Sequence, residues 1–377
     1  MAEWLNAAAS TFWRQNVPIQ HRRAMFLSTF GCDPEDCVEV WRALVLFGQV
    51  PRATNFFHLL WLLYFFKHYN TMVANGNRVG VTDRTFRDKV FRLIDALAVL
   101  APVFVRTYLW FFCVVLRNFK NPHQQIFPPI QITWDSRFRA GGAQVREGHF
   151  AATSMDGTDF RIYRPFRGSR GWYSYKTNSS GKRYIFGIGI PSGLLCFLEG
   201  PYPAGHWHDL TIYRRTMRHL LLPGEMVIAD GGYRGEPTVI TPEDTIDPDA
   251  LRLMSTARAR HEGINGMFKH FRILRDIYRH DRSKHENIVK CIAIFVQLKL
   301  RRGEGTYEVT DFNMPNPPGP EHPLARAANE IRNVQMDLAN RSVIIQLEVV
   351  DENVNAENDE NETAPAVVTQ NDEDDEN

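Results

Sequence analysis

RYIFGIGIPSGLLCFLE, residues 183–199, decides how the rest of the chain is read. Aromatic and β-branched residues fill its first half, the composition of a strand (183–191). Ser192-Gly193 supplies a tight turn, and LLCFLE (194–199) predicts the returning strand of a hairpin. Working outward, AATSMDGTDFRIY (151–163) is strand-like and residues 208–219 predict a helix. MVIA (226–229) is a short buried strand running into Asp230-Gly231-Gly232, and TVIT (238–241) is another. Residues 251–274 predict a long helix and 285–300 an apolar final one. Three strands, a helix, two strands and two helices imply an α/β (or α+β) unit: a mixed sheet with helices packed on it.

The N-terminal third changes period. Residues 1–125 read as helical, with helices at 36–47 and 56–69. Asn75-Gly76-Asn77 marks a turn, after which Thr82 can cap a further helix. That helix carries an apolar stripe of Phe86, Val90, Leu93, Ile94, Leu97 and Leu100, with Arg84, Arg87, Lys89 and Arg92 on its other face. Helix, turn and a helix with a basic face outline a helix-turn-helix reader of DNA, although a plain helical hairpin has a similar outline. Domain organisation is therefore expected as a helical region (1–125), a linker (126–150, opened by Pro122–Pro129), a sheet domain (151–302), a C-terminal extension (303–350) and an acidic tail (351–377).

Charge supports this division. The net charge of +1 hides a tail with eleven acids and no Lys or Arg, which leaves 44 basic residues against 32 acidic ones in 1–350. A basic body suits a polyanion such as nucleic acid, while the tail lacks the apolar residues needed to order itself. Five scattered cysteines without a C-x-x-C pair exclude a disulfide scaffold or zinc module and fit a reducing compartment. MAEWLNAAASTFWRQ lacks the basic start and apolar run of a secretory signal. As for membrane spans, FFHLLWLLYFF (56–66) is too short, and 96–116 contains Pro102 and Arg106, so both are expected as buried helices.

Carboxylates at strand ends and on helices are the chemistry-bearing candidates, because a rigid site for hard divalent cations is built from oxygen donors. Asp156 lies in SMDGTDF, with Gly157 after it to allow close approach. Asp230 follows a buried strand, and Glu262 lies on the helix of residues 251–274. Arg258 and Lys269, offset from Glu262 by four and seven residues, share its helix face. This face suits metal plus phosphate, and equally a solvent-exposed salt-bridged surface. Asp209 of HWHD is expected mainly as a helix N-cap, with His208 as a supporting partner. Trp172, Tyr173, Tyr175 and Lys176 could stack bases and contact phosphates, or pack a sheet edge.

In the order SMDGTDFRI, WYSYK, RYIFGIGIPSG, GPYPAGHWHDLTIYRR, EMVIADGGYRG and ARHEGINGMFKHFRIL, the stretch 153–300 resembles the nuclease domain of Harbinger-type transposases, a branch of the DDE superfamily. The resemblance implies an RNase-H-like fold preceded by an all-helical, helix-turn-helix-like domain. It implies that Asp156, Asp230 and Glu262 bind two Mg²⁺ or Mn²⁺ ions, with Lys269 and Arg258 on phosphates. It also implies DNA as substrate, a homo-oligomer on DNA, a separate DNA-binding helper protein and a nuclear location. KHYN…VTDRTFRDKV is similar to the helix-turn-helix region that precedes the nuclease in this family. Arg258-x3-Glu262-x6-Lys269 also resembles a signature of bacterial insertion-sequence transposases, except that Ser255 stands where a Tyr is expected. Two rival readings share these residues: a domesticated DNA-binding protein that no longer cuts, and a nuclease for RNA–DNA hybrids.

Overall fold

The computed structural model describes residues 9, 12, 18–105, 143–146, 149–165, 169–190, 192–246 and 248–304. The expected Pro122–Pro129 linker opening, nearly all of the C-terminal extension expected at 303–350 and the acidic tail lie outside them.

Seven strands form one mixed sheet: β1 (Ala143–Arg146), β2 (His149–Arg161), β3 (Tyr173–Ser174), β4 (Ser179–Gly189), β5 (Leu195–Pro203), β6 (Glu225–Ile228) and β7 (Val239–Ile240). The hairpin read from residues 183–199 is present as β4 and β5, antiparallel and closed at Ser192–Leu194. β2 pairs antiparallel with β4, and β6 lies parallel to β2 on its other edge, followed by parallel β7. The main strands thus run β5–β4–β2–β6–β7, three antiparallel and then two parallel, the RNase-H-like arrangement expected. β1 and the start of β2 fall at 143–150, where a linker was expected; β1 adds to the sheet by antiparallel pairing with β2.

Alternation along the strands sends side chains to two faces. Met155, Ile185 and Phe197 pack with Ile212 and Tyr213 of α6 (Asp209–Arg215). On the opposite face Phe160, Tyr184, Phe186 and Ile188 meet Ile264 and Phe268 of α7 (Pro248–Lys269) and the buried side of α9 (His285–Arg301). The helix expected at 251–274 is shorter at its C-terminus: α7 stops at Lys269, Phe271 turns under Gly31, and the short α8 (Arg272–Arg275) follows.

The N-terminal helices are α1 (Ile19–Phe30), α2 (Pro34–Leu46), α3 (Phe56–His68), α4 (Met72–Val79) and α5 (Asp83–Val105). Asn75-Gly76-Asn77 lies inside α4 and is not the turn expected there. Gly76 passes so close to the chain that an added Cβ would lie 2.7 Å from the Val81 carbonyl oxygen. The turn falls instead at Gly80–Thr82, where Gly80 takes φ 73° and the Thr82 hydroxyl accepts the Thr85 N–H. The predicted stripe from Phe86 to Leu100 is buried and belongs to the same continuous core as α9. Cys291 Sγ donates to the Ile94 carbonyl, and Lys284 and Asn287 both hold Asp95. Among the described residues no helix is long and apolar enough to cross a membrane.

Candidate active site

The pairing of β6 to β2 ends at Ser154↔Ile228, so from Asp156 onward one edge of β2 is released from its parallel neighbour. Asp156 sits at this point, opposite Phe186 of β4, and its Oδ1 accepts the Gly157 N–H at 2.8 Å. Burial raises the pKa of Asp156, and the nearby charges of Asp209 and Asp230 raise it further, against the opposing charge of Lys176. Asp209 at the start of α6 and Asp230 just past β6 are thus near enough to act on the charge of Asp156.

Asp209 is not the N-cap expected of it. His208 holds the cap position of α6 with no side-chain bond to the helix, and Asp209 is the first helical residue. Its carboxyl lies over Gly157, so closely that a Cβ there would meet Cγ and both oxygens at 2.5 Å. The glycine is thus required for a close approach, by a side chain of the same chain. Two cations fix Asp209 in place. Lys176 Nζ donates to Asp209 Oδ2 at 3.1 Å and to the Gly157 carbonyl at 2.8 Å, and it lies 4.0 Å from Asp156 Oδ1. Arg183 Nε lies 3.1 Å from Asp209 Oδ1. Lys176, expected as a nucleic-acid contact, is here a partner of two carboxylates.

Arg183 is itself positioned by Asp159, a pair that sequence reasoning missed. Nε and Nη2 donate to the two Asp159 oxygens at 2.8 Å each, Ser174 Oγ donates to Asp159 at 2.5 Å, and Nη1 donates to the Trp207 carbonyl. Burial works against the Asp159 charge, yet Arg183 and Ser174 outweigh it and hold its pKa below the ordinary value. Asp159 and Arg183 are register partners across β2 and β4. Opposite charges placed directly across two strands are the signal that could have revealed them.

Asp230 follows β6 and Ala229, and its Oδ1 accepts the Gly232 N–H at 3.0 Å, capping the turn Gly231–Tyr233. That turn delivers Tyr233, a second residue the sequence reading missed. Its ring is buried against Tyr213, and its hydroxyl has no hydrogen-bond partner among the described residues. Burial raises the Tyr233 pKa well above normal, and the charges of Asp209, Asp156 and Asp230 raise it further.

Helix α7 crosses the sheet close by. His261 is buried and its Nε2 lies 3.0 Å from Ser154 Oγ, two residues before Asp156 on the same strand. The next residue, Glu262, is exposed, as is Arg258, while Lys269 is half-buried at the helix end. None of these three makes a hydrogen bond or ion pair with Asp156, Asp209 or Asp230 among the described residues. Nor do three His, Cys, Asp or Glu side chains among them converge as a ready-formed metal site. The donor chemistry nevertheless fits a hard divalent ion. Asp156, Asp209 and Asp230 offer only oxygen, and two buried oxygens, Asp209 Oδ1 and Tyr233 Oη, lack hydrogen-bond partners.

The other sequence candidates fall outside this cluster. His206 and His208 are exposed, and the His206 ring lies against Gly171. Tyr173 and Tyr175 are exposed and meet edge to face at 5.2 Å, whereas Trp172 packs on the core. Arg84 and Arg87 are exposed on α5; Lys89 donates to the Ala53 carbonyl at 2.6 Å.

No curated protein and no solved structure matches the chain. A match to a family of nucleases does exist, and it suggests transposase-like cleavage chemistry, for which divalent metals are the general cofactors. Residues 155–297, from Met155 in β2 to Gln297 in α9, match the family described as DDE superfamily endonuclease, and the matched stretch takes in Asp156, Asp209, Asp230 and Glu262.

Proposed function

We propose that this protein is a metal-dependent DNA endonuclease and strand transferase, of the Harbinger type of transposase. The observation that carries the reading is that Asp156, at the released edge of β2, lies within the electrostatic influence of Asp230 just past the adjacent β6, inside the stretch that matches the endonuclease family. Asp156 and Asp230 hold the metals, and Glu262 completes the set once α7 and the substrate are brought together. A bound pair of Mg²⁺ or Mn²⁺ ions supplies an activated water or 3′-hydroxyl and a counter-charge for the departing 3′-oxygen. The chain's own contribution is to orient the phosphate. Exposed Arg258 and half-buried Lys269 flank Glu262 along α7 and attract the phosphodiester electrostatically. Exposed Arg84 and Arg87 on α5 grip flanking duplex through salt-sensitive contacts. Assembly as a homo-oligomer on DNA, a DNA-binding helper protein and a nuclear location belong to the same proposal.

The test is nicking of supercoiled plasmid, and of the element's own ends, with Mg²⁺ or Mn²⁺. Asp156→Ala, Asp230→Ala and Glu262→Ala should each bind duplex DNA and lose about a hundredfold or more of cleavage, more than the tenfold to hundredfold typical of groups behind the ligands. A wild type that binds duplex but cuts none of these substrates turns the assignment to a domesticated DNA-binding protein. Preferential cutting of RNA–DNA hybrids turns it to an RNase-H-type enzyme.

A further inference from the structure

We propose that Lys176 is the resident counter-ion of the carboxylate site and that a divalent ion enters by displacing its ammonium; this rests on the metal-site reading above. Lys176 projects from the turn between β3 and β4. Its Nζ bonds to the Gly157 carbonyl at 2.8 Å and Asp209 Oδ2 at 3.1 Å, and lies 4.0 Å from Asp156 Oδ1. The ammonium therefore stands between two carboxylates contributed by different elements. Any cation shared by Asp156 and Asp209 must approach those same oxygens. Burial opposes the charge on Lys176, but Asp209 and Asp156 outweigh it and raise its pKa above the ordinary lysine value.

A lysine fills this site incompletely. It offers three donors on one nitrogen, whereas a hydrated divalent ion can address several oxygens at once. Among the described residues, Asp209 Oδ1 is buried without a hydrogen bond, though Arg183 lies beside it, and the Tyr233 hydroxyl also has none. Tyr233 is 1% exposed and feels the charges of Asp209, Asp156 and Asp230, and Lys176 makes no bond to its hydroxyl. Buried polar atoms are rarely left this way when their natural partner is present. The Lys176 side chain, by contrast, is 46% exposed, so it has an exit to solvent. Once released, its charge is free to meet a phosphate of bound nucleic acid. Metal entry and phosphate capture are coupled through one side chain.

Mn²⁺ binding to the full chain, read from the electron paramagnetic resonance of free Mn²⁺ without DNA, tests this apart from cleavage. Lys176→Met should bind Mn²⁺ roughly tenfold more tightly, about 1.4 kcal/mol. Lys176→Arg should stay near wild type, and Asp156→Asn should lose binding. If Lys176→Met binds no more tightly while Asp156→Asn is still lost, the metal site stands and the displacement is overturned. If Asp156→Asn binds like wild type, the metal lies elsewhere and both readings fall. A second measurement needs no variant: acylation of Lys176 in the wild type, followed by mass spectrometry. Labelling should quicken at saturating Mn²⁺; an unchanged rate overturns the exchange.

Discussion

Replacing Arg183 with Met should strand a buried charge on the α6 face of the sheet. Arg183 and Asp159 are a buried ion pair, with side chains 8% and 0% exposed. The substitution keeps an unbranched apolar stem but removes both 2.8 Å bonds to Asp159, the bond to the Trp207 carbonyl and the contact with Asp209. Asp159 is then a buried carboxylate with only the Ser174 hydroxyl as partner. Breaking a buried pair from one side costs about 3–5 kcal/mol, because the stranded charge keeps its desolvation penalty. Asp159→Asn should cost less, since Arg183 retains Asp209 and the Trp207 carbonyl. In the double variant neither charge is stranded, so the loss should fall short of the sum of the singles by about 2 kcal/mol. Urea unfolding of the four proteins measures this cycle. In a thermal melt, a loss near 4 kcal/mol lowers the midpoint by roughly 8–16 °C. An Arg183→Met protein within about 1 kcal/mol of wild type, with additive singles, would refute the claim that this pair braces the site.

Two further outcomes follow from the same region. Gly157→Ala places a Cβ 2.5 Å from the Asp209 carboxyl, so Asp209 must move, at about 1–3 kcal/mol of overpacking; Mn²⁺ affinity should fall with it, and an unchanged affinity would show that Asp209 is not part of the site. His261 is buried and its pKa is lowered to about 3, burial being the main cause. As pH falls below the ordinary 6.5, the unfolded chain takes up a proton that the fold refuses, so stability is complete above pH 6.5 and declines toward pH 3, by about 2 kcal/mol at pH 5 from this residue. Urea unfolding at pH 7.5 and 5 should show a smaller decline in His261→Gln, with a remainder from His285, whose pKa burial also depresses; equal declines in both proteins would remove His261 from the account.

The parts of this fold that could be read from the sequence are those decided by near neighbours in the chain. Residues 183–199 alternate between the two sheet faces, and their β-branched and aromatic side chains leave little besides a hairpin. The stripe from Phe86 to Leu100 repeats at helical spacing and is buried throughout. What could not be read depends on partners distant in sequence. Asp209 obeys the local rule for an N-cap, and only the arrival of Gly157 beneath it turns the carboxyl to another use. Lys176 beside tyrosines resembles a nucleic-acid contact until Asp209, 33 residues on, is found bonded to it. Asn75-Gly76-Asn77 has the composition of a turn, but its glycine serves the approach of Val81. The apolar pattern past Lys269 continues into α8, so periodicity alone does not show the break at Phe271.

How α5 is fixed bears on the way DNA could be offered to the carboxylates. Its apolar face shares one core with α9, so the exposed Arg84 and Arg87 ride on an element continuous with the sheet domain. Two polar ties strengthen the join. Lys284, just before α9, holds Asp95 of α5 at 2.7 Å, and Arg279 donates to the Tyr69 carbonyl at 2.7 Å while its guanidinium lies over the Tyr69 ring. The rim around this join is basic. Lys67 meets His270 there, and burial, with the charges of Lys299 and Arg275, lowers the Lys67 pKa to about 8. Burial is the larger influence on Lys67, and the cations beside it make the local field favourable to an anion. The position of α5 against the sheet domain is set by packing, because a close-packed core has discrete arrangements and does not deform continuously.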